Sequence, residues 1–538
     1  YALLNYINNC PTRKEVRTWF QKNHNICRCT GYKPIIDAVM AAAEVMRGDK
    51  AMSDIIYKMP KNGSIYSTKY PKPGALEKVC GLSNYGDDLS LKMPDNILEL
   101  ALVQPNTSHA KILKIDTSVA EAIEGVVKVI TAQDVKGTNR VYSYSEEMFK
   151  PIICDEKICQ YGDVVAVVAA ISRDIARDAA SKVVVELEEL PAYLTALESL
   201  APSAKKIHPE ISNDYYYSRV VKGDEDIGKV FEGASYVVEG SFHTARQPHL
   251  PIEPDVFQAY TDDEGFIAIQ CKSQCIHVHQ AMIAKGIGMP VEKIRIIQNI
   301  TGGSFGYSMN HTTPALAAVC TMAVNAPVNL TMSYPEHQAF SGKRAPSYSN
   351  GKMACNKDGK IIGLQYDILM EMGAYNTAAH ILNERVGRFV GFPYNITNVK
   401  GICRAAFSNT SFEIAYRAFG SPQALTCSES LIDMMAEKIG IDPFEFRYRN
   451  IARDGDLTMN SYPYDEYPME EMMNMMRPHY EEARDRARKN STETKKYGVG
   501  IAFGGYVASS SKDRCEIELE LNPDGSITHY NSWEQMGQ

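Results

Sequence analysis

Two cysteines separated by one residue are the side chains in this sequence best suited to hold a metal. Cys27 and Cys29 stand in a polar stretch, residues 23–32, between two segments with helical periodicity. Two thiolates at this spacing reach one metal centre only where the backbone is irregular, as a loop permits. The spacing alone gives no preference between such a metal centre and two other interpretations, a pair of incidental thiols or half of a zinc site. Cys10 precedes the first helical segment and is a poor third ligand, so the set of four thiolates is expected to be incomplete.

A glycine-rich turn spans residues 302–306 and follows a predicted strand at residues 294–297. Glycines let backbone N–H groups approach a ligand closely, so such turns suit phosphates and other anions. The turn lacks the Gly-Lys-Ser/Thr of nucleotide-binding P-loops and the glycine spacing of dinucleotide-binding loops. From this stretch alone, a purely structural turn is the favoured interpretation.

Two arginines and one aromatic residue suggest a pocket for an anion or a substrate. Arg417 and Phe419 lie in a second loop that contains glycine and proline, residues 417–422, and Arg385 lies upstream. An arginine can clamp an oxyanion with paired donors, and an aromatic ring can wall a substrate pocket. Taken singly, each of the three is more typical of a surface ion pair or a core position.

Three further groups of residues are weaker candidates. His277 and His279 would share a face on a strand, but the residues that follow them look helical, which favours no metal site. Segments 246–249 and 253–255 place polar groups beside prolines and fit a structural loop as well as a site. The methionines between residues 469 and 476 are predicted to fill a core.

The composition excludes several functional classes. The 538 residues carry a net charge of −8, which argues against the basic face of a nucleic-acid-binding protein. The apolar runs stay well short of the roughly 20 residues that a membrane span needs. The longest of them, residues 164–171, has the length of a strand. Thirteen scattered cysteines predict buried free thiols in a reducing compartment, and hence a cytoplasmic protein.

Periodicity and capping signals predict the elements that position these residues. Thr12 is predicted to cap a helix that runs to residue 21, and Pro34 suits the first turn of a second helix that ends at Met46. Residues 49–72 are predicted to be a connecting segment. Strand, helix and strand at residues 164–171, 172–180 and 183–187 predict a βαβ-type unit. Further predictions are a strand at 126–130, helices at 431–438 and 469–488, and a hairpin of residues 515–521 and 526–530.

Together these segments resemble the molybdenum hydroxylases, the family of xanthine dehydrogenase and aldehyde oxidoreductase. The similarity runs through residues 25–35, 302–306, 415–423 and 536–538, in the order in which the family carries them. The resemblance implies that Cys27 and Cys29 are two of the four ligands of the [2Fe–2S] cluster nearest the molybdenum cofactor.

The same resemblance implies roles for individual site residues. Contact with the cofactor is expected for a set drawn from three loops: Gly303, Phe305, Gly306, Arg417 and Gln538. Arg385, nine residues before Tyr394, and Phe419 would line the substrate pocket and orient the substrate.

Two details resemble the flavin-free bacterial aldehyde oxidoreductases within the family. The segment between the helices and the next domain is too short for the FAD domain of xanthine dehydrogenases, so no FAD is expected. Met309 stands where purine-oxidising members carry a glutamate that binds the heterocycle. Residues 161–163 and 246–255 are also similar to that branch.

The resemblance implies an α+β multidomain fold. The expected order is a partial helical [2Fe–2S]-binding domain at 1–48, a connecting segment at 49–77 and an α/β hammerhead-like domain at 78–200. A large mixed α/β molybdopterin-binding domain would follow, with its first part at 201–465 and a truncated second part at 466–538.

The implied reaction is molybdenum-dependent oxidation of an aldehyde to a carboxylic acid, with water as the oxygen source. Electrons would leave through [2Fe–2S] clusters, past Cys29. The expected cofactor is molybdopterin, with the cytosine dinucleotide as one form. A redox protein acceptor and a second copy in a homodimer are the expected partners, with neither nucleic acid nor membrane. Oxidation of an N-heterocycle such as a purine or nicotinate, and a non-catalytic fragment, remain open as alternatives.

The two ends of the chain carry an expectation of their own. The sequence begins at Tyr1 without an initiator methionine, signal peptide or charged leader and ends at Gln538, so both ends are interpreted as cut. By the resemblance, a ferredoxin-like domain with the second cysteine pair would precede Tyr1, and the glutamate general base would follow Gln538. The chain as given is therefore expected to be inactive.

Overall fold

The computed structural model describes residues 11–142, 149–224, 226–464, 467–506, 516–531 and 536–537. Cys10, Cys515 and Gln538 lie outside these residues, and with Gln538 one of the expected contacts to the cofactor. The helices, in chain order, are α1 Arg13–Lys22, α2 Tyr32–Met46, α3 Met52–Ile55, α4 Ala75–Val79, α5 Gly86–Ser90, α6 Ser118–Glu121, α7 Arg173–Ala180, α8 Ala196–Ser199, α9 Ile227–Glu232, α10 Ile276–Ile287, α11 Thr312–Val324, α12 Tyr334–Phe340, α13 Ala379–Phe389, α14 Ser421–Ile439, α15 Pro443–Asn450 and α16 Met469–Asn490.

The strands are β1 Leu98–Val103, β2 Ala110–Asp116, β3 Val126–Ile130, β4 Arg140–Tyr142, β5 Phe149–Pro151, β6 Lys157–Ile158, β7 Ala166–Ala170, β8 Val184–Glu189, β9 Asp214–Lys222, β10 Tyr236–Thr244, β11 Val256–Thr261, β12 Ile267–Cys271, β13 Ile294–Gln298, β14 Val328–Thr331, β15 Ser347–Cys355, β16 Ile361–Gly373, β17 Asn398–Phe407, β18 Ile517–Leu521 and β19 Ile527–Asn531. Mixed helices and mainly antiparallel strands confirm the predicted α+β class.

The first helix pair forms as predicted, because its ends carry local signals. The Thr12 hydroxyl accepts from the Glu15 amide, and the Glu15 carboxylate accepts from the Thr12 amide, which together make a capping box. Val16 on α1 and Ile36 on α2 are buried. The loop between the two helices carries Cys27 and Cys29.

Two large sheets organise the rest of the chain. A seven-stranded sheet runs in the order β13-β12-β11-β14-β1-β7-β3, and a five-stranded sheet runs β10-β15-β16-β17-β9. Helix α14 packs on β10 and β15, and α13 packs on β9 and β17. Strands β1, β3 and β7 of the seven-stranded sheet come before residue 200 in the sequence, and its other strands come after it. The predicted domain boundary at residue 200 therefore divides one sheet, and it stays a prediction.

The predicted βαβ unit is wrong, although its strands and helix exist. All five residues of β7 are buried, and β7 pairs antiparallel with β1 and β3 in the large sheet. Strand β8 instead pairs with β2 in the small sheet β6-β2-β8. Helix α7 therefore connects two different sheets, because β7 and β8 each pair with strands that are distant in sequence and not with each other.

Burial supports most of the remaining sequence predictions. Seven cysteines of the described chain are buried free thiols, as expected: Cys154, Cys159, Cys271, Cys320, Cys355, Cys403 and Cys427. On α16, Met469 and Met473 are buried, but Met472, Met475 and Met476 are more than half exposed, so the predicted core role holds for only part of this run. Among the described residues, no helix is long and apolar enough to cross a membrane.

Candidate cofactor-binding site

Two loops that follow strands of different sheets meet at the candidate site. The glycine turn follows β13, and residues 408–420 connect β17 to α14. The amide of Arg417 donates to the carbonyl of Phe305 over 2.8 Å. Gly306 lies so close to the backbone of Ala415 that a Cβ on it would stand 2.6 Å from the Ala415 carbonyl carbon. The two loops are therefore joined backbone to backbone.

Both loops contain residues in the left-handed backbone region. Phe305 has φ 59° and Ala418 has φ 61°, and Gly306 lies at φ 116°. Residues other than glycine seldom adopt positive φ, and such positions cluster at binding and active sites, where the surrounding structure holds them. The strained pair Phe305 and Ala418 marks these loops as a candidate functional site independently of the sequence motifs.

Ser304 and Gln274 hold the glycine turn in shape. The Ser304 hydroxyl donates to Gln274 Oε1 over 2.6 Å and accepts from the amides of Gly306 and Ser308 at 3.2 and 3.3 Å. Gln274 Nε2 in turn donates to the sulfur of Met536. Gln274 escaped the sequence analysis because it lies thirty residues before the turn it supports.

A buried ion pair lies beneath the same turn. Glu253 Oε2 accepts from the Gly302 amide at 2.8 Å and lies 3.2 Å from Lys272 Nζ. Lys272 also donates to the carbonyls of Glu253 and Pro254, at 2.9 and 2.6 Å, and its side chain is 2% exposed. Burial lowers the pKa of Lys272. Residues 253–255, which fitted a loop or a site equally well, therefore form the support of the turn.

Arg344 anchors the second loop and was missed at the sequence level. Its guanidinium donates to the carbonyl of Arg417 at 2.7 Å and to Gln247 Oε1 at 3.0 Å. It also lies 4.2 Å from the ring centroid of Tyr416. No local pattern distinguishes this arginine from others in the chain, because its partners lie on remote segments.

Arg385 lies against Gly420, the residue that follows Phe419, and the pocket that these two side chains are predicted to line stays a prediction. Phe419 is half-buried, and a Cβ on its neighbour Gly420 would stand 3.2 Å from Arg385 Cβ. The Arg385 guanidinium donates to the hydroxyl of Tyr506. The Tyr506 ring stacks on Phe389, with centroids 5.5 Å apart. Tyr506 is thus a third pocket candidate that sequence reasoning did not find.

The thiol pair lies next to the glycine turn. Cys27 Sγ accepts from the Gly31 amide at 3.3 Å, and the exposed Cys29 Sγ lies 3.6 Å from the carbonyl oxygen of Gly537. A Cβ on Gly537 would in turn stand 2.9 Å from the Gly303 amide nitrogen. Cys29 and Gly303 therefore both lie close to Gly537.

The donors at the junction of the loops fit a ligand that carries phosphate. The Arg417 side chain is exposed and has neither a hydrogen bond nor an ion pair within the described part of the chain. In the same described part, the amides of Gly303 and Phe305 donate to no acceptor. An unpaired guanidinium, together with amides of a glycine turn that have no acceptor, is suited to an anion.

The histidine pair lies on a helix. His277 and His279 are in α10, which confirms the helical pattern predicted there. His279 is buried and contacts the Ser273 hydroxyl at 3.0 Å, whereas His277 contacts Gln280. Within the described ranges, no group of three or more His, Cys, Asp or Glu side chains is arranged to hold a metal ion.

Two models of protein families match the chain. The model of the molybdopterin cofactor-binding domain matches residues 207–451. The model of the a/b hammerhead domain of aldehyde oxidase and xanthine dehydrogenase matches residues 80–191. Both kinds of domain were expected from the sequence.

Individual relatives match between 74% and 99% of the chain. Aldehyde oxidoreductase from Megalodesulfovibrio gigas is 45% identical over 536 residues, which are 98% of this chain and 59% of that protein. The large molybdopterin subunit of nicotinate dehydrogenase from Eubacterium barkeri is 30% identical, over 74% of this chain and 92% of that protein. The solved aldehyde oxidoreductase from Desulfovibrio gigas superposes with a TM-score of 0.96 at 44% identity, over 99% of this chain and 60% of that one. The chain therefore belongs to the molybdenum hydroxylases, the family of xanthine dehydrogenase and aldehyde oxidoreductase, whose members bind a molybdenum cofactor.

Proposed function

We propose that the protein carrying this chain oxidises an aldehyde to a carboxylic acid with water as the oxygen source. The balance is RCHO + H2O giving RCOOH, two protons and two electrons, and the electrons leave through a [2Fe–2S] cluster. The observation that carries the proposal is the convergence of the glycine turn, the Arg417 loop and Cys29 around one junction. The bound cofactor supplies the oxidising metal, and the protein supplies binding and orientation.

The side chains at the junction divide into those that bind and those that orient. Arg417, with the Gly303 and Phe305 amides that lack an acceptor in the described residues, would bind the anionic part of the cofactor. Arg385 would hold the substrate, since its planar donors suit an oxygen that gains charge. Phe419 would wall the pocket and exclude water. The Arg385–Tyr506 contact keeps the guanidinium oriented before substrate arrives.

The proposed substrate class is supported by Met309 and by the relatives. Met309 packs, half-buried, against a cluster that includes Tyr307 and Phe412, and it offers no carboxylate to a heterocycle. The relative that is 45% identical is named an aldehyde oxidoreductase. A second candidate, oxidation of an N-heterocycle, is supported by the 30% identity to the nicotinate dehydrogenase subunit, of which this chain covers 92%.

The finer features extend the proposal. Cys27 and Cys29 would supply two of the four ligands of the cluster, and the cofactor would be molybdopterin, either alone or as its cytosine dinucleotide. A redox protein would accept the electrons, and the protein would act as a cytoplasmic homodimer.

The decisive experiment is an assay of the full-length protein with a redox dye as acceptor. Benzaldehyde is expected to reduce the dye, and hypoxanthine and nicotinate are not; in labelled water, the carboxylic acid should gain one oxygen-18. Oxidation of the heterocycles alone would reject the aldehyde assignment in favour of the second candidate. Purified protein that contains iron but no molybdenum would reject both.

Replacing Arg417 with methionine is expected to reduce retention of the cofactor without weakening the fold. The side chain is exposed and has no partner in the described chain, so its loss should change the free energy of unfolding by less than about 0.5 kcal/mol. Loss of a charge-assisted bond of about 1.5–3 kcal/mol predicts a drop in affinity of roughly 10- to 100-fold. Molybdenum content after dialysis, beside a denaturation curve, measures both. Unchanged molybdenum content would contradict the assigned role.

A further inference from the structure

Arg28, the residue between the two thiols, binds the cysteine loop to the rest of the site. Its Nε and Nη2 both donate to the carbonyl of His249, at 3.1 and 3.0 Å, and Nη2 also donates to the Tyr416 hydroxyl at 3.0 Å. Its guanidinium carbon lies 5.9 Å from the ring centroid of Phe305. One side chain thus contacts three segments that are far apart in sequence.

The partners of Arg28 form a rigid surface. His249 is 2% exposed and its Nε2 donates to the carbonyl of Ala415 at 2.9 Å. Burial lowers the pKa of His249 to about 3, so its ring stays neutral at pH 7. The His249 and Tyr416 rings pack with centroids 4.3 Å apart. Arg344 also lies against the Tyr416 ring, so the surface that Arg28 contacts is held by both His249 and Arg344.

Resting on the proposed function, we infer that Arg28 is a positioning residue for electron transfer. It holds the neighbouring Cys29 at the distance from the glycine turn and the Arg417 loop that lets electrons pass from the cofactor to the cluster. The guanidinium suits this task because it makes two hydrogen bonds to one carbonyl and a third to a hydroxyl in one plane, which a lysine ammonium cannot match. The segment 23–31 has few other anchors, since Cys29 and Thr30 are exposed.

The test uses the full-length holoenzyme with Arg28→Met, Arg28→Lys and a control, Arg13→Met. Arg13 lies on α1 of the same helical unit and pairs with Asp37 at the surface, so the control removes one cation without touching the site. After chemical reduction, EPR measures the splitting of the molybdenum signal by the reduced cluster. Hydrogen–deuterium exchange of peptide 23–32 measures docking of the loop.

Arg28→Met is expected to lose the splitting and to speed exchange in the loop, with molybdenum and iron contents unchanged. Because electron transfer follows oxidation of the substrate, slowing it should lower kcat and the KM for the aldehyde together, by several-fold, and leave kcat/KM unchanged. Arg28→Lys should recover part of the splitting, and Arg13→Met should match the unmodified enzyme. Should Arg28→Met fail to fold, Tyr416→Phe removes one of the three bonds and is expected to reduce the splitting by less.

The inference would be overturned if Arg28→Met kept the full EPR splitting and the full kcat. Where Tyr416→Phe replaces that variant, the same result in Tyr416→Phe would overturn it. The EPR measurement needs no substrate, which separates the two proposals. A protein that oxidises no aldehyde but shows splitting that depends on Arg28 would keep this inference and lose the aldehyde assignment.

Discussion

Replacing Gly306 with alanine is expected to destabilise the fold by about 2–5 kcal/mol and to abolish binding of the cofactor. Gly306 has φ 116°, a conformation that costs an L-residue roughly 1–2 kcal/mol. The added Cβ would also stand 2.6 Å from the carbonyl carbon of Ala415, and forcing such an overlap costs about 1–3 kcal/mol more. Relief of the overlap must separate the two loops and break the bond from the Arg417 amide to Phe305.

A matched control for this substitution is Gly265→Ala. Gly265 also has a positive φ, 78°, but a Cβ there would meet nothing within 4 Å. It should therefore cost only the conformational part, about 1–2 kcal/mol, and leave molybdenum content unchanged. Urea denaturation and metal analysis of both variants measure the difference. Equal destabilisation in the two variants would show that contact with Ala415 does not matter.

Replacing Lys272 with methionine is expected to cost about 3–5 kcal/mol, because removal of one partner leaves the other charge buried and unpaired. Lys272 is 2% exposed, and Glu253 would keep its carboxylate under the Gly302 amide with no cation beside it. The carbonyls of Glu253 and Pro254 would also lose their donor. Since this group supports the glycine turn, molybdenum content should fall together with stability.

The surface pair of Lys229 and Asp226 is the control for Lys272. Their side chains are 75% and 56% exposed and their charged atoms lie 3.2 Å apart, so Lys229→Met removes a cation from an exposed ion pair of the same length. Solvent screening limits its effect to about 0–1 kcal/mol. Adding Glu253→Gln to Lys272→Met should restore part of the lost stability. An effect of Lys272→Met no larger than that of Lys229→Met would contradict a role for the buried pair.

The parts of the site that could be predicted are those with a signature inside a few neighbouring residues. The capping box of α1, the helical pattern through His279, the glycine turn and the Cys27–Cys29 spacing each depend on contacts within a turn or two of chain. These segments occur in the order in which the family carries them, and the resemblance to the family linked them to one site. Met469 and Met473 are buried and Met472 is exposed because only one face of the helix packs against the core, so a core role cannot hold for every methionine of that run.

Local pattern thus specified which segments are helices and strands, and which residue types could bind a metal or an anion. Tertiary packing determined which elements pair, since β7 and β8 lie in different sheets. The contacts of Lys272, Arg344 and Arg28 could not be predicted from their spacing in the sequence. Arg28 reaches partners 221 and 388 residues away. Helix and turn signals arise from interactions between near neighbours, whereas strand pairing and buried charge pairs depend on the burial that the whole chain can achieve, which no short window contains.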